Sequence, residues 1–405
     1  MTAEHIARRG SVSKTVAGMS SSGIRRFFEL LDSVDGVISL AVGQPDFATP
    51  SQITRAGADS MLDGNTGYTS NYGLLELREL LSRQLERMYG VHYAPECELL
   101  MTTGVSEALD LAARAIFDPG DEVLVPEPGY VAYEPVIALA GAKYVGVPTD
   151  ASMQFMVTVD ALRERLTPAT KAILIGYPCN PTGAVLDRPA MEAIAAFAEE
   201  HDLIVISDEL YDRLVYGVQH ICFTSLPGMR ERTILLGGFS KAYAMTGWRL
   251  GYAAAPAPIL EAMMKVHQYV MMCAPTAAQY AAIEALRSGE EDVRGMLAEY
   301  DRRRRLVYER LSGMGLATVE PKGAFYVFPD IRSSGIEDDV QFAEQFLMEE
   351  RVAVVPGSTF GASGRGYVRL CYAASYDDLQ EAMVRLERFL GRHRGMLGNS
   401  LGAAV

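Results

Sequence analysis

Lys241 is the residue whose surroundings most suggest chemistry in this chain of 405 residues, which contains only six lysines. It lies in GGFSKAYAMTGWRLGY (237–252), together with the only tryptophan, Trp248. A lysine with the ordinary pKa of about 10.4 is neutral in only about one molecule in 2,500 at pH 7. Condensation with an aldehyde removes this difficulty, because an imine conjugated to an acidic ring can have a far lower pKa. We therefore predict that Lys241 forms a covalent bond with an aldehyde.

Polar residues follow five of the apolar runs that we interpret as strands. In an open α/β sheet, ligands bind beyond the carboxyl ends of the strands. The sequence therefore predicts one shared site at that edge. Its members are Gly104, Val105 and Ser106 after LLMTT, Tyr130 after VLVPEPG, Asn180 in YPCNPTG, Asp208 and Tyr211 in VISDELY, and Lys241 after ILLGGFS.

Each of these motifs also has a simpler interpretation. TTGVSEAL (102–109) is typical of a helix N-terminus that binds phosphate, but also of an ordinary helix cap. NPTG (180–183) makes a tight turn by its composition alone. Asp208 either caps a following helix or faces a cationic ligand. On such a helix, Asp208 and Tyr211 would share one face and point at one bound ring, and Arg249 would bind a phosphate through two hydrogen bonds.

Composition excludes several classes of function. The formal net charge is −14 and 49% of the residues are hydrophobic. No general cationic surface is available to displace phosphate counterions, so we expect no nucleic-acid binding. The run RRRR at 302–305 follows acidic residues in a helical pattern. We interpret it as a solvated helix face.

Cysteine and histidine positions argue against metal sites and disulfides. The five cysteines are scattered without a CxxC pair, which favours reduced thiols in a cytoplasmic protein. The six histidines show no metal-binding spacing, so we predict no metal. No stretch of about 18 apolar residues occurs, and the N-terminus has no signal-peptide core. We expect neither secretion nor a membrane span.

Seven short apolar runs alternate with helical patterns between residues 98 and 255. Most of these runs are continuously apolar, as expected for strands covered on both faces of a parallel sheet. The fold class is therefore α/β: a large domain with a mostly parallel seven-stranded sheet covered by helices, and a smaller α+β domain. We place the large domain at 49–288 and the small domain at 1–48 and 289–405. The runs are 98–104, 121–130, 142–150, 171–178, 202–209, 232–238 and 249–255.

Seven motifs, in order, resemble those of the class I pyridoxal-phosphate (PLP) aminotransferases. The resemblance extends from about residue 20 to 392 and is to the branch with bacterial and archaeal aspartate and aromatic aminotransferases. It implies fold type I, PLP as cofactor and a homodimer. The motifs are GQPDFATP, GYTSNYGLLELREL, NPTG, SDELYDRLVY, GGFSKAYAMTGWRLGY, GAFYVFP and GYVRLCYA.

The resemblance also assigns roles at the cofactor. Lys241 would bind the PLP aldehyde and then move the proton between the substrate Cα and the cofactor. Asp208 would hold the ring nitrogen protonated. The remaining cofactor contacts would be Tyr211 and Asn180 on the phenolic oxygen, Tyr130 on the ring face, Val105, Ser106, Ser240 and Arg249 on the phosphate, and Tyr68 on the phosphate of the neighbouring subunit.

The substrate residues implied are Arg369, Gly43 and Asn180, which would bind the α-carboxylate. The chain departs from the pattern at two positions. Gly238 replaces a serine that binds phosphate in many relatives. Ser106 stands where similar aspartate enzymes often carry a lysine that reads the side-chain carboxylate, so strict aspartate specificity is in doubt. Ile24 and Phe27 are either contacts that favour an aromatic or broad range, or small-domain core.

The predicted activity is a ping-pong transfer of the α-amino group of an L-amino acid to a 2-oxo acid such as 2-oxoglutarate. A C–S lyase of the same fold would use the same lysine and ring contacts. A cofactor-sensing transcription regulator is disfavoured, because only about 20 residues precede the family-like segment and the net charge is acidic. The partners expected are therefore amino and 2-oxo acids and a second copy of the chain, with no nucleic acid and no membrane.

Overall fold

A computed structural model describes residues 12–19 and 35–402, with side chains to residue 394. Its central feature is a seven-stranded sheet with the strand order β2-β8-β7-β6-β5-β3-β4. All neighbouring pairs are parallel except the two made by β8. All seven predicted strands are thereby confirmed. They are β2 (Leu99–Thr102), β3 (Glu122–Glu127), β4 (Lys143–Pro148), β5 (Thr170–Gly176), β6 (Ile204–Asp208), β7 (Thr233–Gly238) and β8 (Gly251–Ala254).

Helices cover both faces of this sheet, because its strands are apolar on both sides. Leu100 and Leu236 pack on one face with helices α4 and α8, whereas Met101 and Leu235 pack on the other with α3 and α9. Strand β4 is the exception, since only Val147 of its residues is buried and it lies at the sheet edge. The helices of this part are α2 (Ser51–Leu62), α3 (Leu75–Tyr89), α4 (Gly104–Ile116), α5 (Tyr133–Leu139), α6 (Val159–Arg165), α7 (Arg188–Glu200), α8 (Ala257–Val270) and α9 (Thr276–Ser288).

The remaining elements form two small sheets and three long helices. Strand β1 (Ile38–Ser39) pairs in parallel with β10 (Val352–Ala353), so residues 38–39 contact a C-terminal element. In the second sheet β12 lies between β11 and β9. These elements are β9 (Tyr326–Val327), β11 (Val355–Pro356), β12 (Val368–Cys371), α10 (Glu290–Gly313), α11 (Asp339–Glu350) and α12 (Tyr376–Gly402), while α1 (Lys14–Gly18) is a short helix near the N-terminus.

The prediction that the run RRRR (302–305) is a solvated helix face is only half right, because two of its four arginines are buried. Arg302 and Arg305 are exposed, but Arg303 and Arg304 are 6% and 8% exposed. Arg303 donates to Asp46 Oδ1 at 2.7 Å and Glu299 Oε1 at 2.9 Å. Consecutive side chains of a helix point in different directions. Two arginines of the run are therefore buried, and the other two are solvated.

Replacing Arg303 with alanine is expected to lower the free energy of unfolding by about 2 kcal/mol, because two carboxylates lose a buried charged donor. Arg305→Ala is the matched control two residues away, and its exposed pair with Asp301 is worth less than about 0.5 kcal/mol. Urea unfolding of both variants checks this prediction. Equal losses would show that Arg303 is no more structural than its exposed neighbour.

The described residues contain no candidate membrane span and no candidate metal site. No helix there is long and apolar enough to span a membrane. No group of three or more histidine, cysteine, aspartate or glutamate side chains in the same part of the chain is arranged to hold a metal ion.

Candidate active site

A cavity of about 310 Å³ lies beyond the carboxyl ends of the central strands. It is lined by every residue predicted for the cofactor and substrate except Tyr68: Gly43, Val105, Ser106, Tyr130, Asn180, Asp208, Tyr211, Ser240, Lys241, Arg249 and Arg369. These residues come from widely separated parts of the sequence. The structure thus brings eleven of the twelve predicted residues to one place.

Lys241 lies three residues beyond the end of β7. Its Nζ donates a hydrogen bond to the carbonyl oxygen of Gly43 at 2.7 Å. Burial is the largest of the effects that lower its pKa to about 8; the guanidinium groups of Arg369 and Arg249 act in the same direction, and Cys371 and Asp208 oppose them. At pH 7 about one such lysine in ten is neutral, against about one in 2,500 for an ordinary lysine. The site therefore supplies a nucleophilic amine.

Trp248 holds the segment that carries Lys241. Its indole Nε1 donates to Thr49 Oγ1 at 3.0 Å, and the Thr49 hydroxyl donates to the carbonyl oxygen of Ala244 at 2.7 Å. The indole also packs so closely on Gly57 of α2 that a Cβ there would lie 2.5 Å from Trp248 Cζ3. Trp248 therefore has a structural role, because its contacts with Thr49 and Gly57 fix the segment that carries Lys241 against α2.

Asp208 ends β6 with its carboxylate in the cavity wall. Burial raises its pKa to about 6, although hydrogen bonds from Tyr133 and from the Leu210 amide lower it. The predicted helix after Asp208 is wrong, because residues 210–213 form turns. The Asp208 carboxylate accepts from Leu210 N at 3.2 Å, and Asp212 N and Leu214 N bond to carbonyls three residues back. Asp208 and Tyr211 still line the same cavity.

The first turn of α4 makes a cradle against Arg249. Gly104 has φ +75°, and a Cβ there would lie 2.6 Å from an Arg249 Nη atom. Gly251 is equally confined, since its Cβ would lie 2.6 Å from Val105 N. Arg249 itself has φ +55°, a conformation that costs energy for a residue with a side chain. Free helix N–H groups beside a guanidinium suit a phosphate.

Arg369, on β12, is 3% exposed and also lines the cavity. One Nη donates to Asn180 Oδ1 at 2.8 Å and the other to the carbonyl oxygen of Ala41 at 2.6 Å. Its guanidinium lies over the rings of Tyr326 and Phe360, 4.5 and 4.9 Å from their centroids. Its buried Nε has no hydrogen-bond partner among the described residues. A buried cation with a spare donor is suited to a carboxylate.

Two tyrosines that line the cavity were missed from the sequence. Tyr133 donates its hydroxyl to Asp208 Oδ2 at 2.9 Å, and the Tyr326 hydroxyl lies 2.8 Å from that of Tyr211. Tyr326 also explains Gly43, because a Cβ at residue 43 would lie 2.3 Å from the Tyr326 hydroxyl. A signal for Tyr133 existed, since it follows Tyr130 by three residues at the start of α5. Leu109 and Thr246 were missed as well.

Comparison with known proteins decides the family. The family described as "Aminotransferase class I and II" matches residues 35–386. The chain belongs to this family. It is 47% identical to an aspartate aminotransferase of Pyrococcus abyssi, over 92% of this chain and 96% of that protein. It is 44% identical to aromatic-amino-acid aminotransferase 2 of Thermococcus litoralis, with the same coverage.

A solved structure gives the same result. The crystal structure of an aromatic aminotransferase from Pyrococcus horikoshii superposes with a TM-score of 0.87 at 47% identity, covering 92% of this chain and 99% of that one. The predicted family, fold type I, transaminase activity and PLP dependence are thus confirmed. This aminotransferase acts on amino and oxo acids.

The cavity of the aminotransferase fits PLP on its own chemistry. Lys241 provides an amine for the aldehyde, and Asp208 provides an anion for the ring nitrogen. The α4 cradle offers N–H groups and Arg249 to the phosphate. Arg369 Nε has no partner among the described residues. A Cβ at Gly104 would collide with Arg249 and one at Gly251 with Val105 N, so these two glycines allow close packing around the start of α4.

Tyr133→Phe is expected to weaken PLP binding about fivefold at pH 6 and less than about twofold at pH 8. The Tyr133 hydrogen bond lowers the pKa of Asp208. Without it the pKa rises above about 6, so more of the carboxyl is protonated at pH 6 and cannot hold a cationic ring nitrogen. At pH 8 the carboxyl is ionised in both proteins. Absorbance titration of the apoprotein with PLP at the two pH values measures the effect.

Tyr144→Phe is the control for this experiment, because Tyr144 donates to Glu127 Oε1 at 3.0 Å and does not line the cavity. It should change PLP affinity equally little at both pH values. A Tyr133→Phe defect of the same size at pH 6 and pH 8 would contradict a role through the ionisation of Asp208.

Two predicted features are not placed in the cavity. Tyr68 is 83% exposed on this chain. Ile24 and Phe27 lie outside the described residues. The roles predicted for the individual site residues stay predictions, and so does the division at residues 48/49 and 288/289.

Proposed function

We propose that this aminotransferase transfers the α-amino group of aromatic and other apolar L-amino acids to a 2-oxo acid by a ping-pong reaction. The observation that carries the proposal is that Lys241, Asp208 and Arg369 line one cavity. When bound, the protonated PLP ring withdraws electrons from the bond that breaks at the substrate Cα. Each step below concerns what the chain's own residues do around that chemistry.

Lys241 holds the cofactor covalently and then moves the proton. Its lowered pKa of about 8 suits this role, because an amine whose pKa lies near neutral pH can both accept and return a proton. Asp208 keeps the ring nitrogen protonated, and Tyr133 orients its carboxylate. Tyr211 and Asn180 bind the phenolic oxygen, and Tyr130 packs on the ring face. Val105, Ser106, Ser240 and Arg249 bind the phosphate.

Arg369 binds the substrate α-carboxylate, with Asn180 and the Gly43 backbone beside it. Arg369 comes from β12 in the proposed small domain, whereas Lys241 comes from the proposed large domain. The Asp46–Arg303 contact and the β1–β10 pair support assigning residues before 48 to the small domain. We propose that the small domain closes over the substrate.

The donor range follows from the cations in the cavity wall. The described cationic side chains there are Lys241, Arg249 and Arg369. They are already assigned to the cofactor aldehyde, the phosphate and the substrate α-carboxylate. Ser106 cannot pair with a second carboxylate as a lysine would. Leu109 and Tyr326 instead offer apolar surface. This composition favours aromatic donors over aspartate.

Kinetic comparison of donors tests the proposal. The purified holoenzyme receives L-tyrosine, L-phenylalanine, L-aspartate or L-cystathionine, with 2-oxoglutarate or pyruvate as acceptor. We expect an oxo acid plus a new amino acid, and kcat/KM about tenfold higher for aromatic donors than for aspartate. A preference for aspartate would refute the range. Pyruvate and ammonia from cystathionine without an acceptor would show a C–S lyase.

We also propose a homodimer in which Tyr68 reaches the phosphate of the partner's site. Thr276 Oγ1 donates to the carbonyl oxygen of Gly67, and Gln279 Nε2 donates to Thr69 Oγ1, so the Tyr68 segment is held while its ring is exposed. Other large apolar residues are also exposed on this chain, Leu62 at 84% and Tyr269 at 87%. Sedimentation should give about 88 kDa, twice the 44.1 kDa of the chain. A 44 kDa species at micromolar concentration would refute the dimer.

The five cysteines are all free thiols in the structure. Reduced thiols suit a reducing compartment, and we therefore place the enzyme in the cytoplasm.

A further inference from the structure

A buried histidine–carboxylate pair lies behind the phosphate cradle. His267 on α8 is fully buried, and its Nδ1 lies 2.6 Å from Glu107 Oε1 on α4. The Glu107 side chain is only 9% exposed, and neither residue lines the cavity. Burying such a pair costs free energy that an apolar pair would not cost. His267 Nε2 adds to this cost, because it is buried without a hydrogen-bond partner among residues 12–19 and 35–394.

The start of α4 departs from an ordinary helix cap. Thr103 is the N-cap residue, but its side chain makes no capping hydrogen bond, and its buried Oγ1 has no partner in the part of the chain that the structure describes. A capping hydroxyl would normally accept from the second or third helical N–H, which here are those of Val105 and Ser106. Since the hydroxyl does not do so, the N–H groups of Val105 and Ser106 remain available to a ligand.

Glu107 fixes the start of α4 in place of a side-chain cap from Thr103. Its Oε2 accepts a hydrogen bond from the Thr103 backbone N–H, while its Oε1 is held by His267. Both carboxylate oxygens are thereby engaged by protein donors outside the cavity. Glu107 therefore fixes the start of α4 through contacts outside the cavity, and the N–H groups of Val105 and Ser106 stay free to bind a ligand.

We infer that His267 and Glu107 form a positioning pair that aligns the first turn of α4 for the cofactor's phosphate. This inference rests on the proposed phosphate-binding role of Val105 and Ser106. The two residues touch neither substrate nor cofactor. Their effect should therefore appear in the recognition of the phosphate group and not in the recognition of the ring.

Pyridoxal, which lacks the phosphate, separates these two kinds of recognition. His267→Phe keeps an aromatic ring but removes the donor to Glu107. We expect the Kd of the apoenzyme for PLP to rise about tenfold and that for pyridoxal to change less than about twofold. The inhibition constant of inorganic phosphate against PLP binding should rise in parallel. Spectroscopic titration measures all three quantities without turnover.

His267→Asn should rescue, because its amide donates from nearly the same place as Nδ1. We expect its PLP affinity within about threefold of wild type. His267→Leu serves as the second donor-free variant if the phenylalanine variant fails to fold. Asp187→Ala is the control, since Asp187 caps α7 by accepting from Ala190 N at 2.9 Å and does not line the cavity. Its ratio of pyridoxal to PLP affinity should equal that of wild type.

Selective loss of PLP and phosphate affinity, with rescue by asparagine, supports the inference. An equal loss for PLP and pyridoxal, or no loss, overturns it while the proposed phosphate site stands. If the wild-type apoenzyme does not prefer PLP to pyridoxal, the phosphate site itself fails, and the inference fails with it.

Discussion

Lys241→Ala is expected to abolish transamination and the yellow chromophore that borohydride reduces, while the fold remains intact. The expected loss in kcat is about 10⁵-fold or more, because one side chain both holds the cofactor and moves the proton. The fold should tolerate the change, since burial already disfavours the charged form of this amine. Its one hydrogen bond within the protein is to the Gly43 carbonyl.

Two measurements check this prediction. The visible absorbance of the purified variant reports the covalent bond, and its circular dichroism reports the fold. Lys265→Ala is the matched control, because Lys265 is exposed and pairs only with Glu261 on the same helix. The control should keep both colour and activity. A Lys241→Ala protein that turns over at the wild-type rate would remove the basis of the proposed site.

The lowered pKa of Lys241 adds a pH dependence to the same experiment. Only the neutral amine attacks an aldehyde, so the rate at which the wild-type apoenzyme binds PLP covalently should rise about tenfold per pH unit below pH 8 and level off above it. An ordinary lysine would show this rise up to about pH 10. Stopped-flow absorbance distinguishes the two midpoints.

Much of the fold was predictable because its strands are continuous apolar runs. A strand buried on both faces cannot be confused with an amphipathic helix, and the polar residues at its end then lie at the ligand-binding edge of the sheet. This reasoning placed Lys241, Asp208 and Asn180 together. Arg369 came from the family resemblance, since no strand-end argument reaches the second sheet.

The parts that failed depend on contacts between distant segments. Tyr133 matters because it faces Asp208, and Tyr326 because it faces Tyr211. The sequence spacing records neither contact. The helix expected after Asp208 failed because that carboxylate binds a backbone amide two residues on, which favours a turn. The role predicted for Tyr68 concerns a second chain, and it stays a prediction.

Arg369→Ala is expected to lower kcat/KM by about 10²- to 10³-fold for every amino donor, mainly through KM. The α-carboxylate is common to all amino donors. Asn180 and Ala41 engage two of the five guanidinium N–H groups of Arg369, and among the described residues its Nε has no partner, so N–H groups remain for that carboxylate. Loss of the guanidinium also frees Asn180 Oδ1 and removes the cation between the rings of Tyr326 and Phe360. Lysine should not rescue, because one ammonium cannot bind Asn180, Ala41 and a carboxylate in the same plane.

Steady-state kinetics with an aromatic donor and with aspartate tests whether Arg369 reads the shared carboxylate. Arg365→Ala, an exposed arginine four residues earlier, is the control and should leave both KM values unchanged. PLP affinity should also stay within about threefold of wild type in the Arg369 variant, because Lys241 and the α4 cradle hold the cofactor independently. A loss confined to aspartate would mean that Arg369 binds the side chain of the donor, and the α-carboxylate would then need another cation.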